Sequence, residues 1–204
     1  KPVGGIEPTR VVPYKPLLDQ AIELSAHRPG RAFLAVQAYR LGDATPYVWR
    51  TDDYGESWVR LADGNNGIPA DHWVRVVRED PTREGLLYAG TEFGLYWSVD
   101  AGDRWQSLQL NLPRTPITDL RLVQNDLAVA TQGRGFWVLD GVSALHEMAA
   151  GFEEPVLLFP PADHVRNGAS VSERDYPRDH VYGAMLPRAW MGENPPDGVI
   201  IDYW

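Results

Sequence analysis

The chain has 204 residues, 44% of them apolar, with 8 Trp and 9 Tyr, so it can bury a core and is not an intrinsically disordered chain. Its 28 acidic residues outnumber 19 basic ones, a formal charge of −9, which argues against nucleic acid or an anionic membrane as the main partner. The absence of cysteine excludes disulfides, thiol nucleophiles and cysteine metal sites, and no apolar run approaches the ~20 residues that span a bilayer.

From the N-terminus, residues 1–19 read as a lead-in, and Lys1 in place of Met is read as the start of a processed or truncated product. Helical periodicity is scarce: only "PLLDQAIEL" (Pro16 to Leu24) and "GVSALHEMAA" (Gly141 to Ala150) tolerate a helix. The rest consists of short apolar or alternating runs punctuated by Gly, Pro, Asn and Asp, the pattern of many short strands. Residues 20–63 carry four runs, "AIELSAH", "RAFLAVQAY", "PYVWRTD" and "SWVRLAD". Residues 68–112 repeat the order with "HWVRVVRED", "GLLYAGTE", "GLYWSVD" and "RWQSLQL". Residues 116–150 repeat it less fully with "ITDLRLVQN", "DLAVATQG", "GFWVLDG" and the "ALHEM" region. A period of roughly 40–50 residues with four strands per unit predicts an all-β fold of about three four-stranded propeller blades. Beyond residue 152 the repeat fades. Residues 153–192 read as an outer strand and polar linker, and residues 193–204 as the start of a second β domain.

One phrase is written twice. "TDDYGESW" (Thr51 to Trp58) and "SVDAGDRW" (Ser98 to Trp105) each give a hydroxyl, an Asp two residues on, a Gly two further and a Trp three beyond that. Gly55 and Gly102 supply the positive backbone angle of a tight hairpin. Asp53 and Asp100 can accept backbone N–H bonds across it, and Thr51 and Ser98 can brace it. Trp58 and Trp105 are expected to be largely buried, so the phrase reads as structure and not as chemistry.

The phrase resembles the Asp-box, or BNR repeat, of sialidases, sortilin-type receptors and xyloglucanase-like glycosidases. Arg104 departs from the Thr or Ser usual in that family. The segments "VVREDPTREGLLYAGTEFGLYWSVDAGDRWQSLQLNLP" and "ATQGRGFWVLD" also resemble bacterial exported sortilin-like or glycosyl-hydrolase-like BNR proteins. The resemblance implies a β-propeller with the boxes on outer hairpins remote from the binding face, and an extracellular or periplasmic location. It further implies that an Ig-like domain follows.

Propeller geometry gathers the remaining loops on the opposite face. There they place Tyr39, Arg40, Asp43, Asp71, His72, Trp73, Glu92, Phe93, Arg114, Thr115, Gln132 and Arg134, a mixture of aromatics, cations and acids suited to a glycan or peptide ligand. The plain alternative is ordinary loop residues. Glycoside hydrolysis needs two carboxyl groups at ~5–9.5 Å, and Asp43, Asp71 and Glu92 are the loop acids able to share a face. The sialidase signature departs at "GIPADHW", where Gly67 stands in place of the expected Arg. The five histidines show no metal-ligand spacing, and no cofactor motif is present. The expected function is therefore a non-catalytic recognition or scaffold propeller; the alternative is part of a glycoside hydrolase. Three blades do not close a propeller of ~4–8, so the missing ones are expected from another chain or from the rest of a larger precursor.

Overall fold

The computed structural model describes residues 19–150. The chain divides into two compact units, Lys1–Phe152 and Glu153–Trp204. The expected lead-in up to residue 18, the linker (153–192) and the second β domain (193–204) lie outside the described residues.

The fold is mostly β, built from three small antiparallel sheets and one short helix. The first sheet runs β1 (Asp19–Leu24), β2 (Ala32–Gln37), β3 (Tyr47–Thr51) and β4 (Val59–Ala62), in that order. The second runs β5 (Val74–Glu79), β6 (Leu87–Thr91), β7 (Leu95–Ser98) and β8 (Gln106–Ser107). The third holds β9 (Ile117–Val123), β10 (Asp126–Thr131) and β11 (Phe136–Leu139). Helix α1 (Ser143–Ala150) follows, where each of the first two sheets has a fourth strand.

The segment "DQAIEL", which tolerates a helix and also opens the first strand run, is a strand. That segment pairs with β2 from Asp19↔Gln37 to Leu24↔Ala32. A ladder of backbone hydrogen bonds outweighs the weak preference of about two helical turns, which are marginal in isolation.

The sheets share faces. Strand β5 touches β1, β2 and β3 on one side and β9 on the other. Alternation of side chains splits the core accordingly. Leu87, Ala89 and Tyr96 join Phe33, Val48 and Leu61 of the first sheet. Leu86, Tyr88, Leu95 and Trp97 join Ile117, Leu120, Leu127 and Val129 of the third. The middle sheet is thus buried on both faces, and β6 is buried at every position. A register shift between Val74 and Val76 lets Val74 and Val77 face the first sheet while Val76 faces the third. Gly90 is dictated by this stacking: a Cβ there would lie 2.6 Å from Cγ2 of Ile117. Among the described residues no helix is long and apolar enough to cross a membrane.

Candidate functional site

Both copies of the repeated phrase lie in turns at one end of the sheets, β3–β4 and β7–β8, and are built alike. In the first, the Thr51 hydroxyl donates to Asp53 Oδ1 (2.8 Å) and accepts from the Gly55 N–H (2.8 Å), while Asp53 Oδ1 accepts from the Ser57 N–H (2.9 Å). In the second, the Ser98 hydroxyl donates to Asp100 Oδ1 (2.8 Å) and accepts from the Gly102 N–H (2.9 Å), while Asp100 Oδ1 accepts from the Arg104 N–H (2.9 Å). Arg104 enters this network through its backbone alone, so the departure from Thr or Ser removes only a hydroxyl. Ser57 supplies that hydroxyl in the first box, 2.5 Å from Asp53 Oδ2. Hydrogen bonds from Ser57, then Thr51, lower the Asp53 pKa to about 2. The turns need more than glycine: Tyr54 and Ala101, at φ 59° and 58°, are left-handed alongside Gly55 and Gly102.

The two tryptophans differ. Trp105 is 3% exposed and donates its indole N–H to the Leu61 carbonyl of the first sheet (2.9 Å). Trp58 is only half-buried and bonds the Gly55 carbonyl of its own turn (3.2 Å). The expectation that both would be largely buried is corrected for Trp58. Among the described residues no sheet packs against Trp58 as the first sheet packs against Trp105.

The opposite end carries the loops β2–β3 and β6–β7 and the connections from β4 to β5 and β8 to β9. There the rings of Tyr39 and Trp73 stack at 5.4 Å with planes 14° apart. Phe93 meets Trp73 edge-on at 5.8 Å and His72 at 4.6 Å. Arg40 lies over Tyr39 (5.7 Å) and Arg114 over Phe93 (4.6 Å). Tyr39 and Arg40 sit on a one-turn 3₁₀ helix, Tyr39–Leu41, closed by Gly42 at φ 76°. His72 Nδ1 and the Tyr96 hydroxyl share a 2.9 Å hydrogen bond. Burial lowers the His72 pKa, only partly opposed by Asp71, so the ring is neutral at pH 7. The indole nitrogen of Trp73 is buried and has no hydrogen-bond partner among the described residues.

No protein-family model matches this chain, and no curated protein matches it.

Residues from four separate loops and connections therefore converge: Tyr39, Arg40, His72, Trp73, Phe93 and Arg114. Thr115 and Gln132 are tied to each other's segments, the Thr115 hydroxyl donating to the Gln132 carbonyl (3.2 Å) and the Gln132 N–H to the Pro116 carbonyl (2.9 Å). Arg134 is exposed on the β10–β11 turn, and its carbonyl accepts the Trp137 indole N–H (3.0 Å).

The three loop acids are not arranged alike. Asp43 holds the Thr45 N–H (2.9 Å) and the Tyr47 hydroxyl (2.7 Å). Burial pushes its pKa up, but these bonds outweigh it and the carboxyl lies below its usual range. A general acid needs the reverse. Glu92 is tied to Arg75 Nε at 2.7 Å. Asp71 is exposed beside His72. Among the described residues no group of three or more His, Asp or Glu is placed to hold a metal.

Two partners of the strip escape a sequence reading. Arg75, which restrains Glu92, and Tyr96, which holds His72, are strand residues whose alternation says only which face they take. Elsewhere, His146 of α1 reaches the fully buried Asp80 (2.7 Å), which also accepts from the Tyr88 hydroxyl and the Thr82 and Arg83 N–H groups. No motif marks that cluster.

Proposed function

We propose that the three sheets are consecutive blades of an Asp-box β-propeller in an exported bacterial protein. Its loop end is a non-catalytic recognition surface for a glycan or a protein ligand. Two correspondences support the blade reading. Leu24↔Ala32 of the first sheet and Glu79↔Leu87 of the second bracket loops of equal length. The Tyr54 and Ala101 N–H groups donate to equivalent carbonyls, Gly30 and Gly85. Burial of the middle sheet on both faces is what a blade between two neighbours requires.

The observation that carries the binding reading is the Tyr39–Trp73–Phe93 strip, flanked by two guanidinium groups and holding an indole N–H with no partner among the described residues. Aromatic faces with a few convergent polar groups suit a sugar ring or a peptide side chain. Recognition is favoured over hydrolysis because Asp43 and Glu92 are committed to Tyr47 and Arg75. The test is titration calorimetry with soluble neutral and uronic-acid oligosaccharides and with Pro-rich and acidic peptides. Trp73→Ala and Phe93→Ala should each weaken the binding found by at least about tenfold, roughly the 1.4 kcal/mol lost with one aromatic contact. Binding unchanged in both variants, or release of shortened sugars over time, would overturn the reading.

A further inference from the structure

The aromatic strip is set among charges, and these differ in how they are held. Glu92 is tied to Arg75, and Asp43 accepts from the Thr45 N–H and the Tyr47 hydroxyl. The side chain of Asp71 is 76% exposed and stands 3.8 Å from the neutral His72, so water screens it. Arg114 is held by a ring and not by an acid. Its guanidinium lies 4.6 Å over Phe93, and among the described residues no carboxylate forms an ion pair with it. Its charge is nevertheless felt inside the cluster. Burial is the main cause that lowers the His72 pKa; Asp71 opposes it and Arg114 adds to it.

A planar guanidinium with no carboxylate of its own offers its fork of donors to a ligand, and one such fork pairs bidentately with one carboxylate. Its seat on Phe93 fixes the group before a ligand arrives. The backbone narrows the choice further. Around the strip the Gly42 N–H donates to the Tyr39 carbonyl (3.0 Å) and the Glu92 N–H to the Trp73 carbonyl (3.2 Å). The Phe93 N–H donates to the Thr91 hydroxyl (3.1 Å). An extended peptide brings a donor and an acceptor with every residue and draws affinity from main-chain partners, which these loops have already committed to themselves. A sugar ring makes its contact through C–H faces laid on aromatic side chains and needs few such partners.

We propose that this surface recognises a sugar bearing a carboxylate, a hexuronic-acid residue of a glycan, with the ring on the Tyr39–Trp73–Phe93 strip and the carboxylate on Arg114. The inference rests on the recognition reading above. Arg114 is then the residue that sets specificity, because aromatic contact alone accepts a neutral ring as readily as a charged one.

Titration calorimetry of the full chain tests it with three probes: a short oligogalacturonate, its carboxyl-reduced neutral counterpart and a glutamate-rich peptide. The oligogalacturonate should bind, and the neutral sugar and the peptide should each bind at least about fivefold more weakly. Added salt should weaken the charged sugar and leave the neutral one unchanged. Arg114 is exposed, so Arg114→Gln should leave the fold intact, which circular dichroism checks, and should erase the difference between the two sugars. Arg114→Lys keeps the charge without the fork and should restore part of that difference. No binding of the oligogalacturonate, equal affinity for the two sugars, or a preference that survives Arg114→Gln overturns the proposal. A peptide that binds more tightly than the oligogalacturonate overturns the glycan assignment. Equal affinity for the two sugars that still depends on Trp73 overturns the carboxylate inference alone; oligogalacturonate binding that needs Arg114 but ignores Trp73→Ala and Phe93→Ala overturns the recognition reading alone.

Discussion

Two tryptophans at the same place in the same phrase should contribute very different stability. A buried Trp removes about 150–250 Å² from water. At ~25 cal/mol per Å² this gives roughly 4–6 kcal/mol, and about 3–5 once residual burial in the unfolded chain is allowed for. Trp105 is 3% exposed and also donates to the Leu61 carbonyl, a bond contributing about 1 kcal/mol. Trp105→Ala should therefore cost about 4–6 kcal/mol, much of a domain's total stability. Trp58 is half-buried and bonds only its own turn, so Trp58→Ala should cost about 2 kcal/mol. Urea unfolding followed by circular dichroism reads the midpoint shift at constant slope. Equal costs, or a larger cost at Trp58, would refute the claim that the neighbouring sheet and not the phrase sets the contribution of the tryptophan.

Asp100→Ala should cost about 1 kcal/mol by removing the acceptor of the buried Ser98 hydroxyl and of the Arg104 N–H, with oligosaccharide or peptide binding unchanged in protein that remains folded; loss of binding would place the box in the site. Asp53 has a pKa of about 2 against about 3.9 unfolded, so its stabilisation is complete above ~pH 4 and is lost as pH falls toward 2. Thermal unfolding of Asp53→Asn should vary less over that window than wild type, and parallel curves would refute the assignment. His146→Ala should release α1, seen as faster amide exchange across Ser143–Ala150, at a cost of about 1–3 kcal/mol. Asp80 is pushed up by burial but held below its usual range by the bonds from His146 and Thr82, so the wild-type advantage should shrink as pH falls through the carboxylate range. An advantage that grows on acidification would contradict this.

Much of the strand order is local information. Alternation and Gly, Pro and Asp punctuation place β5, β6 and β7 inside runs visible in the sequence, because a strand's side chains alternate whatever packs on them. The box turns are equally local: hydroxyl, carboxylate and glycine bond one another within four residues. Loop sorting also brings Tyr39, Trp73 and Phe93 to one end, since hairpin parity alone decides which end a loop occupies. Non-local contact decided the rest. Residues "DQAIEL" became a strand because β2 lay alongside to receive their hydrogen bonds. Arg75 and Tyr96 entered the site through partners 17 and 24 residues away, and His146 met Asp80 across 66. Above all, the sequence writes Trp58 and Trp105 in one motif and cannot tell them apart. Burial belongs to a side chain together with whatever covers it, and among the described residues only Trp105 has a sheet against it.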